Sequence, residues 1–393
     1  MPHDGFWQRT LIVLGFWLMA GTARGQIPST GDLPSQQPAV IAPPGAAAVS
    51  DAEVPLSAQP LTPQGLGGNL PAPASASTPP TPGDDGNSEF GGGMFGLGAS
   101  GMPRAPQVRY QSSWFPEAPV AGQNTNFEIF GQDFSASTPI WTDKPNIVSI
   151  STHVRERSIE TGAVLPDTGN PYPSELWDIG VGLNYIRLLD DGWVTGGGVN
   201  VGSASDHPFA TSREVNVGMN AFLRLPQGEH NAWLFGLSYS PTGEILFPLP
   251  IVAFSYNPSP QFHANIGLPF SITYRPTRQL RLEASYMPIH TIHAKASYHF
   301  SEPFSVFVAY DWANEAYSLE DRTSYDERLF LYDQRVSGGL EYKLSPAAKV
   351  DFIGGYSFSR FSFEGTSWDT TGVDRIDLGN VPFIMLRLEY RFF

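Results

Sequence analysis

From about residue 127 onward the chain alternates apolar and polar side chains, broken at intervals by turn residues. An alternation of this kind places successive side chains on opposite faces of a strand. In Glu175–Leu189, Trp177, Ile179, Val181, Leu183 and Tyr185 fall on one face, with Asp178, Gly180, Gly182 and Asn184 on the other. In Glu214–Leu225, Val215, Val217, Met219, Ala221 and Leu223 oppose Asn216, Gly218, Asn220 and Arg224. The final stretch, Val381–Phe393, sets Ile384, Leu386, Leu388, Tyr390 and Phe392 against Met385, Arg387, Glu389 and Arg391.

The same reading predicts strands near Phe127–Thr138, Ile147–Glu160, Trp193–Ser203, Ala232–Ser240, Ile251–Tyr256 and Phe262–Tyr274. It continues through Leu280–Tyr286, Thr291–Phe300, Phe304–Trp312, Leu329–Leu344 and Val350–Phe361. Pro248, Pro250 and Pro269 interrupt the pattern between Ile245 and Arg275, because proline cannot donate to a ladder. Pro276-Thr277-Arg278, Ser301-Glu302-Pro303 and Leu344–Ala347 read as short turns, while Asn314–Glu327 and Glu364–Gly379 read as long polar connections. Short turns at one rim and long loops at the other characterise membrane barrels. Counted from its two ends, the series disagrees by an odd strand, with Ile245–Arg275 and the first strand as the suspects. The expectation is an all-β, antiparallel transmembrane β-barrel of 12–14 strands.

Alternation alone does not tell which face meets lipid. A soluble barrel or β-sandwich turns its apolar face inward, whereas a membrane barrel turns it outward. The polar face here carries Arg281, Glu283, His293, Lys295, Asp333, Arg335, Glu341, Lys343, Arg387, Glu389 and Arg391. A dry interior holds such charges only when they are paired, while a watery lumen solvates them. These eleven are the candidate lumen-lining residues. Tyr274, Tyr298, Phe300, Tyr342, Tyr390 and Phe392 lie on the apolar face beside the short turns, as in an interfacial girdle. The aromatic terminus (Tyr390, Phe392, Phe393) matches the signal that barrel assembly machinery reads.

Composition narrows the partners. A net charge of −15 and the absence of a basic stripe argue against nucleic acid. There is no cysteine, which removes disulfides, thiolate metal sites, cysteine nucleophiles and an acylated lipoprotein anchor. Residues 1–25 resemble an export signal: Arg9, the apolar Thr10–Gly21, then Ala23 and Gly25 before cleavage at Gln26. That apolar run is shorter than the roughly 20 residues a spanning helix needs. Residues 26–105 are rich in Pro, Ala, Gly, Ser and Gln, contain no Lys or Arg before Arg104, and predict a disordered tether ahead of a barrel domain at 106–393. Outer-membrane lipid is then the expected surrounding.

No motif for chemistry stands out. His290, His293 and His299 share a segment, but His293 and His299 lie about 20 Å apart along an extended strand and cannot share a metal whose bonds to His are about 2 Å. No metal or cofactor is expected. His293 with Ser297 or Ser271 is the one hydrolase-like pairing, and no motif surrounds either serine. Asp311, Glu315, Asp321, Asp326 and Glu327 are placed in or near the 314–327 loop, without EF-hand spacing. No enzyme activity is expected.

The runs Val164-Leu165-Pro166-Asp167-Thr168-Gly169, Gly202-Ser203-Ala204-Ser205-Asp206 and Pro226-Gln227-Gly228-Glu229-His230-Asn231-Ala232-Trp233 resemble an uncharacterised planctomycete-type family of bacterial outer-membrane barrels. The resemblance spans about Trp114 to Phe393 and implies a fold and an address, with no substrate or catalytic residue. Taken together, the expectation is a passive pore for small hydrophilic solutes in the bacterial outer membrane. A non-conducting structural or surface-binding barrel and a lipid-modifying barrel enzyme stand as alternatives.

Overall fold

The computed structural model describes residues 106–240, 247–287, 291–322, 324–367 and 373–392. The proposed export signal, the tether, His290 and Phe393 lie outside the described residues. Among the described residues seventeen strands form one sheet. They are β1 (Gln107–Pro119), β2 (Asn126–Asp143), β3 (Asn146–Thr161), β4 (Glu175–Leu188), β5 (Val194–Ser205) and β6 (Asn216–Gln227). Next come β7 (Asn231–Tyr239), β8 (Leu249–Ser259), β9 (Phe262–Leu268), β10 (Phe270–Tyr274), β11 (Leu280–Met287) and β12 (Thr291–His299). The last are β13 (Phe304–Tyr317), β14 (Arg328–Lys343), β15 (Ala348–Gly365), β16 (Val373–Leu378) and β17 (Val381–Arg391).

Each strand pairs antiparallel with its neighbour, and β17 returns to β1 in register from Gln107↔Arg391 to Trp114↔Ile384. Both β16 and β17 pair with β15, so the two act as one interrupted strand and the result is a closed sixteen-strand antiparallel barrel. Closure removes the sheet edges that would otherwise leave backbone groups unpaired in hydrocarbon.

Sixteen exceeds the 12–14 read from the pattern, and two places account for the difference. In β1, Ser112 interrupts the face of Val108, Tyr110 and Trp114, and Pro116 and Pro119 follow, so its alternation is short. Phe262–Tyr274 is two strands rather than one. β9 and β10 pair with each other and turn through Gly267 and Pro269. Gly267 has φ +140°, and a Cβ there would meet the Val252 carbonyl oxygen at 2.1 Å, so only glycine fits. Splitting this segment also restores the parity of the two rims, with the β9–β10 turn on the long-loop rim reduced to Pro269. The connections Asn314–Glu327 and Glu364–Gly379 are likewise shorter than their polarity suggested, since β13 runs to Tyr317, β15 to Gly365, and β16 fills part of the second.

The apolar face points outward. Val181, Leu183, Val199, Met219, Leu237, Val252, Val308, Val336, Leu340, Ile384 and Leu388 are all exposed on the barrel wall. A continuous apolar exterior is stable in hydrocarbon and costly in water. Near the short-turn rim aromatics touch in series, the exposed Trp233, Tyr256 and Tyr274 with the half-buried Phe254 and Phe262 between them. Further round the same rim Tyr298 packs on Phe300, Phe304 on Tyr342, and Tyr390 on Phe392.

The wall is uneven. β2, β3 and β13–β15 have 18, 16, 14, 16 and 18 residues, but β9 and β10 only seven and five. The long-loop mouth is also pinched. Ser318, just past β13, donates its amide to the Ala204 carbonyl of β5 on the opposite side of the ring (2.8 Å), and Ser205 and Ser318 form a bridge.

Candidate functional site

The inward face of β3 places Ser149, Ser151, His153, Arg155 and Arg157 in one row, with Val148, Ile150 and Val154 outward. Facing them across the lumen is Glu315 of β13. Arg157 donates to Glu315 through Nη2 (2.7 Å) and Nε (3.1 Å), and to Asp133 of β2 through both Nη atoms (3.1 Å each). Arg155 donates to Asp133 (2.8 Å) and approaches Glu315 and Asp178 at 3.8 Å. The Tyr317 hydroxyl donates to Glu315 at 2.7 Å. These contacts tie β2, β3, β4 and β13 together through the lumen. Two glycines leave the room: a Cβ at Gly131 would meet Arg157 Nη1 at 3.0 Å, and one at Gly180 the His153 ring at 2.3 Å.

Beneath and beside this cross-brace lies a cavity of about 470 Å³. Its lining includes the cations Arg109, Arg155, Arg157, Lys295, Arg335 and Arg387, against the carboxylates Asp133, Asp311 and Glu315. Asp178, Asp333 and Asp351, just behind this lining, lie against Arg155, Arg335 and Arg387, so six carboxylates offset the six cations. Apolar packing shares the lumen: Phe115, Phe307, Ile353, Val381 and Phe383 form one inward cluster, and Ile186, Val194, Phe222 and Ile251 another.

The eleven residues singled out from sequence occur mainly as ion pairs or hydrogen-bonded groups. Arg281 pairs with Glu283 (2.7 Å), Arg335 with Asp333 (2.9 Å), and Arg391 with Glu389 (2.8 Å). Ser357 also donates to Asp333 (2.8 Å). Lys349, absent from the sequence reading, gathers Glu341 (3.4 Å), Glu389 (3.5 Å) and Asp351 (3.8 Å). Arg387 donates to Gln111 (3.0 Å) and lies 3.8 Å from Asp351. His293 contacts Asp311, and Lys295 lies 4.2 Å over the Phe307 ring. Lys343 sits apart, with Arg281, in a pocket at the short-turn rim. Asp333, Arg335, Lys295, His293 and Arg387 thus converge near the cavity, while Glu341, Glu389 and Arg391 belong to a second cluster around Lys349.

The long-loop mouth is packed. Phe127, Ile159, Leu165, Tyr172, Leu176, Tyr317, Leu329 and Ile376 are buried together, with the 162–174 connection folded among them. That connection is latched to β16. Asp374 accepts from the amides of Asp167 (2.6 Å) and Thr168 (3.0 Å), and its own amide donates to Asp167 (2.7 Å). Asp374 has φ +51°, a left-handed backbone that Asp tolerates better than most residues. A second tie joins Arg322 to Glu214 (3.4 Å). Burial works against the Glu214 charge, but hydrogen bonds from the Thr211 hydroxyl and amide (2.6 Å each), together with Arg322, hold its carboxyl below the ordinary carboxylate range.

Asp133, Arg155 and Arg157 were not singled out from sequence, and Glu315 was placed at a loop rather than in a strand. The alternation in β3 was available to find the two arginines. Among the described residues no group of three or more His, Asp or Glu side chains is placed to hold a metal ion.

No family model matches the chain, and no curated protein matches it. Among solved structures it is similar to an outer membrane channel from Pseudomonas putida F1, at 9% identity over 74% of this chain and 97% of that one, with a TM-score of 0.32. The Acinetobacter baumannii outer membrane protein Omp33 matches at 10% identity over 73% and 98%, with a TM-score of 0.31. The Pseudomonas putida toluene transporter TodX matches at 9% identity over 77% and 94%, also at 0.31. Likeness at this level carries no argument about solute or mechanism.

Proposed function

We propose that this chain is an outer-membrane channel through which small hydrophilic solutes pass by way of the polar lumen. The observation that supports the reading is the inversion of the barrel: an apolar exterior around a cavity of about 470 Å³ lined by ionic side chains. Barrels of this strand number have room for an aqueous channel. Reconstituted in liposomes, the protein should let arabinose relieve osmotic shrinkage faster than protein-free vesicles do. A rate equal to that of protein-free vesicles overturns the reading.

A non-conducting barrel is the second reading, and the packed mouth with its Arg157–Glu315 brace favours it. Loosening the 162–174 latch separates the two, because a channel closed only by its mouth gains permeability when the latch is cut. On either reading Tyr390 and Phe392, exposed at the short-turn rim, serve with Phe393 as the assembly signal. Membership of the planctomycete-type family rests on the sequence runs alone.

We do not assign an enzyme activity. Ser285, His293 and Asp311 are cross-strand neighbours, and among the described residues the backbone amides around them are committed to the ladders. Ser297 lies about 13 Å along the strand from His293, too far for a nucleophile–base pair.

A further inference from the structure

We propose that the latch over the long-loop mouth is operated by a proton on Glu364: it holds while Glu364 is neutral and lets go of the 162–174 connection when Glu364 ionises. The inference goes beyond the channel reading and does not require conduction, because the connection moves whether or not solute passes.

Glu364 stands at the mouth, clear of the lipid. The 18 residues of β15 rise about 45 Å at about 3.3 Å per residue and a tilt near 40°, and Glu364 is the last but one of them. The apolar band of a membrane barrel is only about 25 Å tall. Glu364 pairs with Leu329 of β14 on one side and Val373 of β16 on the other. Directly opposed residues share a face of the sheet. Its side chain therefore points with Leu329 into the mouth, where Leu329, Tyr172 and Ile376 are buried together.

Two carboxyls in this apolar setting have oxygens left over. Glu364 is 7% exposed, and its carboxyl takes no hydrogen bond among the described residues. Asp374 on the neighbouring strand is fully buried; its Oδ1 accepts the Asp167 and Thr168 amides that form the latch. Its Oδ2 has no partner among the described residues. A buried carboxylate without a partner is costly, and a second one beside it costs more. The cheaper state keeps a proton on one of the two, and the latch itself demands that Asp374 stay an acceptor. The proton then belongs on Glu364.

The charges around Glu364 point the same way. Asp374 on β16 is the strongest, followed by Glu327 ahead of β14 and by Asp321 and Asp206. The 162–174 connection adds the Asp167 carboxylate, which accepts the Asp374 amide, and the Tyr172 hydroxyl. The cations of this end are engaged elsewhere. Arg360 of β15 donates to the Gly379 carbonyl (3.0 Å), and Arg322 to the Leu319 carbonyl (2.6 Å) beside Glu214. Arg328 and Arg375 lie on the other face of the sheet, over the Phe330 and Phe361 rings. Burial, and then the four carboxylates, push the Glu364 carboxyl up to about 7. A closed mouth thus binds this proton more tightly than an open, hydrated one. The contribution to closure is fully present below the ordinary carboxylate range and is lost as pH rises through about 7.

Amide protection factors across 162–174, taken against the intrinsic exchange rate at each pH, test the device. The full chain is held in lipid vesicles with a chelator present, so that no bound cation is titrated. Between pH 5.5 and 8.5 wild-type protection should fall about thirtyfold, as for a carboxyl titrating near 7 when closed and near 4.5 when open. Glu364→Gln keeps the shape of the neutral acid and should stay protected throughout. Asp374→Asn keeps an acceptor for the two amides but removes the adjoining charge, and should move the fall to lower pH. Constant protection in the β3–β4 ladder shows that each variant is folded. A wild-type change below threefold, an equal fall in Glu364→Gln, or a midpoint unmoved in Asp374→Asn overturns the proton-operated latch. Failure of the barrel to conduct overturns the channel reading and leaves these outcomes untouched.

Discussion

Glu315 holds the lumen together from one side, and removing it is the sharpest test of that brace. Its carboxylate accepts two bonds from Arg157 and one from the Tyr317 hydroxyl, while Arg155 lies 3.8 Å away. In Glu315→Ala these donors keep their desolvation and lose their principal acceptor. Removing one partner from a buried ion pair costs about 3–5 kcal/mol. Asp133 still accepts from both arginines, so the lower end applies: about 3 kcal/mol, on the order of a hundredfold in the folding equilibrium. Urea unfolding of the protein in lipid vesicles, followed by tryptophan emission, measures it. The paired substitution Glu315→Leu with Arg157→Met removes both charges and should lose much less than Glu315→Ala alone. A loss below about 0.5 kcal/mol in Glu315→Ala, the range of a solvated surface pair, would show that the cross-lumen pair bears no structural weight.

Three further outcomes follow from the same geometry. Asp374→Gly keeps the left-handed backbone but removes the acceptor for the Asp167 and Thr168 amides; protease cleavage within 162–174 and vesicle permeability should both rise. Glu214 has a depressed carboxyl pKa, so its contribution to stability is present above the unfolded carboxylate range and is lost as pH falls through the folded value. Protection factors of the amides around Thr211–Glu214, taken against the intrinsic exchange rate at each pH, should therefore fall on acidification below about pH 4.5, and Glu214→Gln should show lower protection at neutral pH and lose that dependence. Gly180→Val drives a side chain into the His153 ring, and should lower stability by about 1–3 kcal/mol in the urea assay.

Much of the barrel was legible because lipid outside and polar groups inside impose the same two-residue alternation on every spanning strand. In β1 the alternation is short, broken by Ser112 on the face of Val108, Tyr110 and Trp114 and ended by Pro116. Where a turn is built from Gly267 and Pro269 inside an apolar run, two strands read as one. Bulges hide boundaries in another way. Ser359 at φ +51° adds a residue to β15, so Ser357 and Arg360 lie on one face although they are an odd number of positions apart.

The lumen was less legible than the wall. Alternation placed Arg335 and Lys295 on the polar face, but could not show that the charges are paired rather than solvated. Arg157 and Glu315 are 158 residues apart, and only the closure of the ring brings them together. The packed mouth is similar: Leu165, Tyr172 and Ile376 come from connections whose polar composition gave no sign of a shared core.

Planar-bilayer recording tests the central claim most directly. The wild-type protein is predicted to produce discrete conductance steps, with larger steps in Asp374→Gly. Insertion without any steps, in both the wild type and Asp374→Gly, would contradict the channel and leave a sealed barrel.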